Sequence, residues 1–190
     1  MKRLLLAGAA LLAVTVPVLA YVEYPTASGP VGANVTMALD STGKAQPSGM
    51  TRATATATVS NATYSIGYAI GAVEQFTSLP PAGWVSKFVI TMPDQQLATL
   101  DVLLFNAALA TTVTDNTQLV LNDADRAKWI GVVHVSDCAS YTAPTLCTAN
   151  SNQTYVLPTG TTIYAVMVAR SAVAPTPSGL TWNLALETAR

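Results

Sequence analysis

Leu180-Thr181-Trp182-Asn183-Leu184-Ala185-Leu186-Glu187 alternates along its whole length: Leu180, Trp182, Leu184 and Leu186 fall on one side, Thr181, Asn183 and Glu187 on the other. A period of two is that of a β-strand with one face buried, so the segment predicts a strand that closes a core. Upstream, across a loop containing Pro and Ser, Ile163 to Arg170 reads as a second strand. Leu97 to Phe105 is the most hydrophobic stretch outside the N-terminus. Both of its faces are apolar except at Thr99 and Asp101, which predicts a central strand covered on both sides. Trp84 to Met92 lies between the turn signals Leu79-Pro80-Pro81-Ala82-Gly83 and Pro93-Asp94 and predicts another strand. In Tyr64 to Gly71, the large residues Tyr64, Ile66, Tyr68 and Ile70 alternate with small ones, giving a strand with one large and one small face. Val132 to Ser136 and Tyr155 to Leu157 add short strands.

Little of the chain reads as helix. Asn106 to Asn116 is a loop. Asn122-Asp123-Ala124-Asp125 has the form of an N-cap and acidic first turn, with Arg126, Lys128 and Trp129 completing one or two turns before Gly131. About eight strands separated by turns, with at most one short helix, predict an antiparallel, jelly-roll-like β-sandwich over residues 61–190. Residues 21–60 are low in complexity and read as an arm or linker. Within them, Val35 to Leu39 forms a short strand, and Thr51 to Val59 an edge strand or an extended arm.

The first twenty residues carry a separate message. Lys2 and Arg3 precede an apolar run from Leu4 to Ala20 that ends in Val18-Leu19-Ala20, the pattern of a secretory signal cut between Ala20 and Tyr21. A membrane anchor is the rival reading, but the run is short for a span and Pro17 would bend it. Membrane contact is expected through residues 1–20 alone. Cys138 and Cys147 lie close together; in an exported protein they pair, and in a cytosolic one they stay free thiols.

Only 10% of the 190 residues are charged, where about a quarter is usual, and the net charge is −1. The cations are scattered singly, so the clusters that displace counterions from phosphate are missing and no nucleic-acid partner is expected. Much of the polar surface must be Thr, Ser, Asn and Gln. Weak self-repulsion suits a protein docked in many copies on a larger body.

No residue pattern specifies catalysis. His134, the one histidine, shares a strand face with Ile130, Val132 and Ser136 and reads as an exposed strand residue; a catalytic role would require a nucleophile and an orienting acid. Asp115, Asp123 and Asp125 lack the glycine and terminal glutamate of an EF-hand loop, and capping and turn formation account for them. Trp84, Trp129, Trp182, Tyr141, Tyr155 and Tyr164 are the residue types of a sugar-stacking platform. Trp182 belongs to the inward face of its strand, whereas Tyr141 and Tyr155 flank a loop and are candidates for surface contacts. Asn34, Asn61 and Asn152 begin Asn-x-Thr sequons, which matter only in a eukaryotic secretory pathway. No enzyme, metal or cofactor is expected.

The order of motifs resembles a known family. Tyr64-Ser65-Ile66-Gly67-Tyr68-Ala69-Ile70-Gly71 is followed by Leu100-Asp101-Val102-Leu103-Leu104-Phe105-Asn106. Thr114-Asp115-Asn116, Asn122-Asp123-Ala124-Asp125 and Trp129-Ile130-Gly131-Val132-Val133 come next. Thr162 to Arg170 and Leu180-Thr181-Trp182-Asn183-Leu184 close the series. This order is similar to tailed-phage virion structural proteins, the capsid decoration or head-associated β-sandwich proteins, over roughly residues 35–188. The resemblance implies a non-enzymatic head-surface protein that forms homo-oligomers and docks on the major capsid protein or other virion proteins. Phage heads assemble in the cytoplasm, so the signal-like segment departs from that pattern. It fits the alternative, an exported, periplasmic or extracellular binding module for glycans or cell surfaces.

Overall fold

The computed structural model describes residues 49–94, 98–140, 144–176 and 180–190. The signal-like segment, the Ala20–Tyr21 junction, the Val35 to Leu39 strand, Asn34 and Tyr141 lie outside the described residues.

Among the described residues, nine strands and one helical turn follow in order: β1 (Thr51–Thr58), β2 (Ala69–Phe76), β3 (Ala82–Met92), β4 (Leu100–Phe105), α1 (Asp123–Arg126), β5 (Trp129–Val135), β6 (Asp137–Ser140), β7 (Thr145–Val156), β8 (Ile163–Ala169) and β9 (Thr181–Ala189). They form two antiparallel sheets. One is ordered β1-β9-β3-β7-β6 and the other β2-β8-β4-β5. The pairs β1·β9, β2·β8, β3·β7 and β4·β5 are nested like the two arms of one long hairpin, and alternate pairs go to alternate sheets. That is the topology of a jelly-roll sandwich, with β6 as an added edge strand.

The inner faces supply the core. β9 turns Trp182, Leu184 and Leu186 inward, as its alternation predicts, and all three are buried. Phe76 of β2 and Phe88 of β3 meet edge to face across the two sheets, with ring centroids 5.7 Å apart at 77°. Leu100, Val102 and Leu104 of β4 and Ala165 and Met167 of β8 complete the layer from the other sheet.

Several segments differ from the sequence reading, each for a local reason. Thr51–Thr58 pairs along its length with β9, so it is part of the sandwich although it precedes residue 61. The Tyr64 to Gly71 alternation is not a strand. Tyr64 and Tyr68 make isolated bridges to Val173 and Gln118, Ile66 is 70% exposed, and β2 starts at Ala69. Gly67 and Gly71 have φ of +86° and +74°, a left-handed conformation that glycine adopts without strain and that bends the chain where an alternating strand would run straight. Only Tyr155 to Leu157 carried a strand signal, yet β7 runs over twelve residues. Its Thr, Asn, Ser and Gln positions interrupt the apolar residues, so no apolar period marks the strand.

The helix is a single turn. Asn122 caps it by accepting the Asp125 N–H at 2.8 Å, and β5 begins as early as Trp129. Gly131 therefore lies inside β5 and does not end the helix. A β-carbon there would collide with the Gln153 side chain of β7. A bulge opposite Leu104 and Phe105 leaves Ile130 unpaired, and Ile130 packs on the inter-sheet core. The face shared by His134 and Val132 therefore does not extend to Ile130.

Cys138 and Cys147 occupy directly opposite positions on β6 and β7 and are joined by a disulfide. The cysteine segment is thus a hairpin whose two strands are stapled. Closing a loop of this size is worth about 2–3 kcal/mol on the chain-entropy account. The Cys138→Ser/Cys147→Ser variant is expected to lose about that much stability in urea denaturation; an unchanged midpoint would show that the pairing adds nothing.

Candidate functional site

In the four-stranded sheet, β4 and β8 carry apolar side chains on both sides. β8 sends Ile163, Ala165, Met167 and Ala169 into the sandwich, while Val166 and Val168 are buried on its outer face with Phe105 and Ala69. The long β4–β5 connection covers that outer face by packing Leu109, Val113, Leu119 and Leu121 against it. Leu97 to Phe105 was expected to be covered on both sides. The connection is what covers β4 from outside.

Two carboxylates hold the cover in place. Asp115 accepts hydrogen bonds from the Tyr64 hydroxyl at 2.6 Å, the Gly71 N–H at 2.6 Å and the Ser60 N–H at 3.0 Å. The bonds Asn116 N–H to Ala69 O and Ala69 N–H to Thr117 O, at 2.9 and 2.8 Å, continue the seam. Burial, reinforced by the bond to Asp115, pushes the Tyr64 hydroxyl up to about 12, so it stays protonated and donating. At the other end the fully buried Asp125 accepts from Ala110 N–H at 2.7 Å, Thr111 N–H at 2.8 Å and Lys128 Nζ at 2.9 Å. The Thr111 hydroxyl, the Ala110 amide and Lys128 together outweigh burial and hold this carboxyl well below the usual range. Asp123 is exposed and pairs with Arg126. The three acids therefore point to three different places, and among the described residues no group of three or more His, Cys, Asp or Glu gathers as a metal site.

Beside the cover lies a half-open cavity of about 190 Å³, bordered by Ala69, Thr111, Val113, Thr117 and Leu119. It is smaller than the roughly 300–1,000 Å³ of ordinary ligand pockets. Further along the same outer face, Asp101 links His134 and Arg170. His134 Nδ1 lies 2.5 Å from Oδ1 and Arg170 Nη1 lies 3.0 Å from Oδ2. The His134 side chain is 69% exposed, as its strand position predicts. The structure assigns the pair an orienting acid, and among the described residues no hydroxyl or thiol hydrogen-bonds to the imidazole.

The five-stranded sheet is different. Its inner face is core, while its outer face carries rows of directly opposed side chains. Thr56, Asn183, Thr91, Leu146 and Ala139 form one row across all five strands. Thr54, Ala185, Val89 and Thr148 form the next. Charge is concentrated in a third row, Arg52, Glu187 and Lys87, where Arg52 and Glu187 pair at 3.2 Å. β1 is an edge of this sheet, with no proline and no lysine to blunt it.

The aromatic residues divide unevenly. Trp182 is core. Tyr155, expected at the surface, is only 4% exposed; it sits on the inner face of β7, where burial pushes its hydroxyl up. The side chains left open are Trp84, 41% exposed, and Trp129, 48% exposed. Sequence reasoning set Trp182 apart by its alternation but did not single out Trp84 and Trp129, whose segments carry no clean alternation to assign a face.

Comparison with protein-family models, curated proteins and solved structures finds no match to this chain.

Two predictions test the arrangement. Asp115→Ala strips the acceptor from three donors and is expected to cost about 2–4 kcal/mol in chemical denaturation; a loss below about 0.5 kcal/mol would refute the clasp. Burial pushes Glu74 of β2 from its ordinary 4.5 up to about 6. A folded-state pKa raised above the unfolded one contributes stability that is complete below 4.5 and fades as pH rises through about 6. Glu74→Gln should therefore raise the thermal midpoint above pH 6 and leave it unchanged below pH 4.5; the same gain at both pH values would exclude titration as its source.

Proposed function

We propose that this chain is a non-enzymatic structural protein of a tailed-phage particle, seated on the head surface as a decoration or head-associated protein. The observation that supports it best is the outer face of the five-stranded sheet, with its two uncharged rows running through Thr56, Asn183, Thr91, Thr54, Val89 and Thr148. A flat, half-polar face of this kind matches a repeated lattice better than it matches a small substrate. Few charges need to be desolvated when such a face docks, and many weak copies of one contact add up through avidity. Jelly-roll sandwiches are a recurrent architecture of viral capsid domains, which supports the reading by analogy of fold alone. The motif order from Tyr64 to Leu184 points the same way. In this reading the outer face meets the major capsid protein or another virion protein, and the unblocked edge of β1 adds a strand to a neighbouring copy.

A second reading, an exported binding module, is favoured by the Cys138–Cys147 disulfide, because such bonds persist in oxidising compartments.

Peptide mass spectrometry of gradient-purified particles tests the first reading, which expects the chain in many copies. Its absence from particles, together with export and cleavage after Ala20, would replace that reading with the second. Thr56→Lys/Thr91→Lys should fold normally and lose its place on particles, whereas undiminished occupancy would clear the sheet face of a docking role.

A further inference from the structure

We infer that the end of the sandwich around Trp84 is a binding site for neutral oligosaccharides, with the indole of Trp84 as the stacking platform. The inference deepens the binding-module reading, on whose ligand-binding premise it rests, and it is equally compatible with a protein displayed on a particle.

Trp84 stands near the start of β3 on the outer face of the five-stranded sheet, opposite Thr154 of β7. A tryptophan 41% exposed on a strand leaves a large apolar surface in water, a cost that a ligand would relieve. Its neighbours leave the ring open. Pro81, Ala82, Gly83 and Arg190 line, together with Trp84, a shallow depression of about 440 Å³, within the range of small-ligand sites. Gly83 must stay without a side chain because a β-carbon there would collide with the Ala189 carbonyl.

The apolar surface continues from there. Val156, 69% exposed, lies opposite Ala82 on β7. The Val156 carbonyl accepts a bond from the Asn106 side chain, and the Asn106 N–H bonds the Lys128 carbonyl, next to the half-exposed Trp129. Two open indoles thus stand at the same end of the sandwich, with valine, threonine and amide side chains between them.

That composition selects the ligand class. A sugar ring presents an apolar face for an aromatic platform and a rim of hydroxyls for Thr154, Asn106 and Arg190. Polyanions would need more cations than this end supplies, and a stable protein partner would need a face of about 800 Å² on each side, more than a five-residue depression provides.

The test is a titration of the full chain with a panel of neutral hexasaccharides of glucose and N-acetylglucosamine in α1,4, β1,4 and β1,3 linkage, followed by tryptophan fluorescence. At least one member should bind, and Trp84→Ala should weaken that binding about tenfold or more. Leu146→Ala, at the opposite end of β7, should leave it unchanged. Circular dichroism confirms that each variant is folded, which is expected because both side chains are exposed. Binding that survives Trp84→Ala would overturn the site while leaving the module reading in place. A wild-type chain that binds no member would overturn the proposal itself, and export with an oxidised Cys138–Cys147 pair remains a separate measure of the module reading.

Discussion

β4 and β8 carry apolar side chains on both faces, and everything outside the inter-sheet core follows from the need to cover the second face. Phe105, Val166 and Val168 cannot be left in water, so the chain spends its longest connection on them. Ordering each residue of that connection costs about 1–2 kcal/mol, and only some of its residues return apolar burial. Asp115 and Asp125 decide the outcome because each gathers several donors that would otherwise be buried without partners.

The same constraint determines where the protein can meet anything else. The cover lies on the outer face of the four-stranded sheet, with a small threonine-lined cavity beside it. The five-stranded sheet needs no cover, since its outer rows are threonine, asparagine and small apolar residues. Among the described residues, β1 is an edge of this sheet and Trp84 is exposed at one end of it. The proposed docking rows and the proposed Trp84 platform both lie on this outer face, the rows across the strands and the indole near the start of β3.

Much of the fold was legible in the sequence because period-two alternation is a local signal. Trp182, Leu184 and Leu186 named their own face, and Leu100 to Phe105 announced burial on both sides. Asn122 marked its helix correctly. Legibility failed where long-range partners set the structure. Tyr64 to Gly71 alternates well, yet positive-φ glycines and the bond from Tyr64 to Asp115 turn it into a corner. The middle of β7 was silent because its side chains are polar on the open face. Tyr155 was misplaced because the extent of its strand was unknown, and without that extent its inward direction could not be assigned. Asp115 and Asp125 read as turn and cap residues; the donors they hold come from segments up to 55 residues away for Ser60 and from the preceding loop for Ala110.

The central claim is that the β4–β5 connection is a fixed part of the sandwich, clasped by two carboxylates. Amide-resolved hydrogen exchange on the full chain tests it most directly, by following the Ser60, Gly71, Ala110 and Thr111 N–H groups, which donate to Asp115 or Asp125. If the clasps hold, these loop amides are protected to an extent approaching that of the β4 and β8 amides. Exchange at the rate of unstructured chain, with β4 and β8 still protected, would show that the cover opens freely and that the account is wrong.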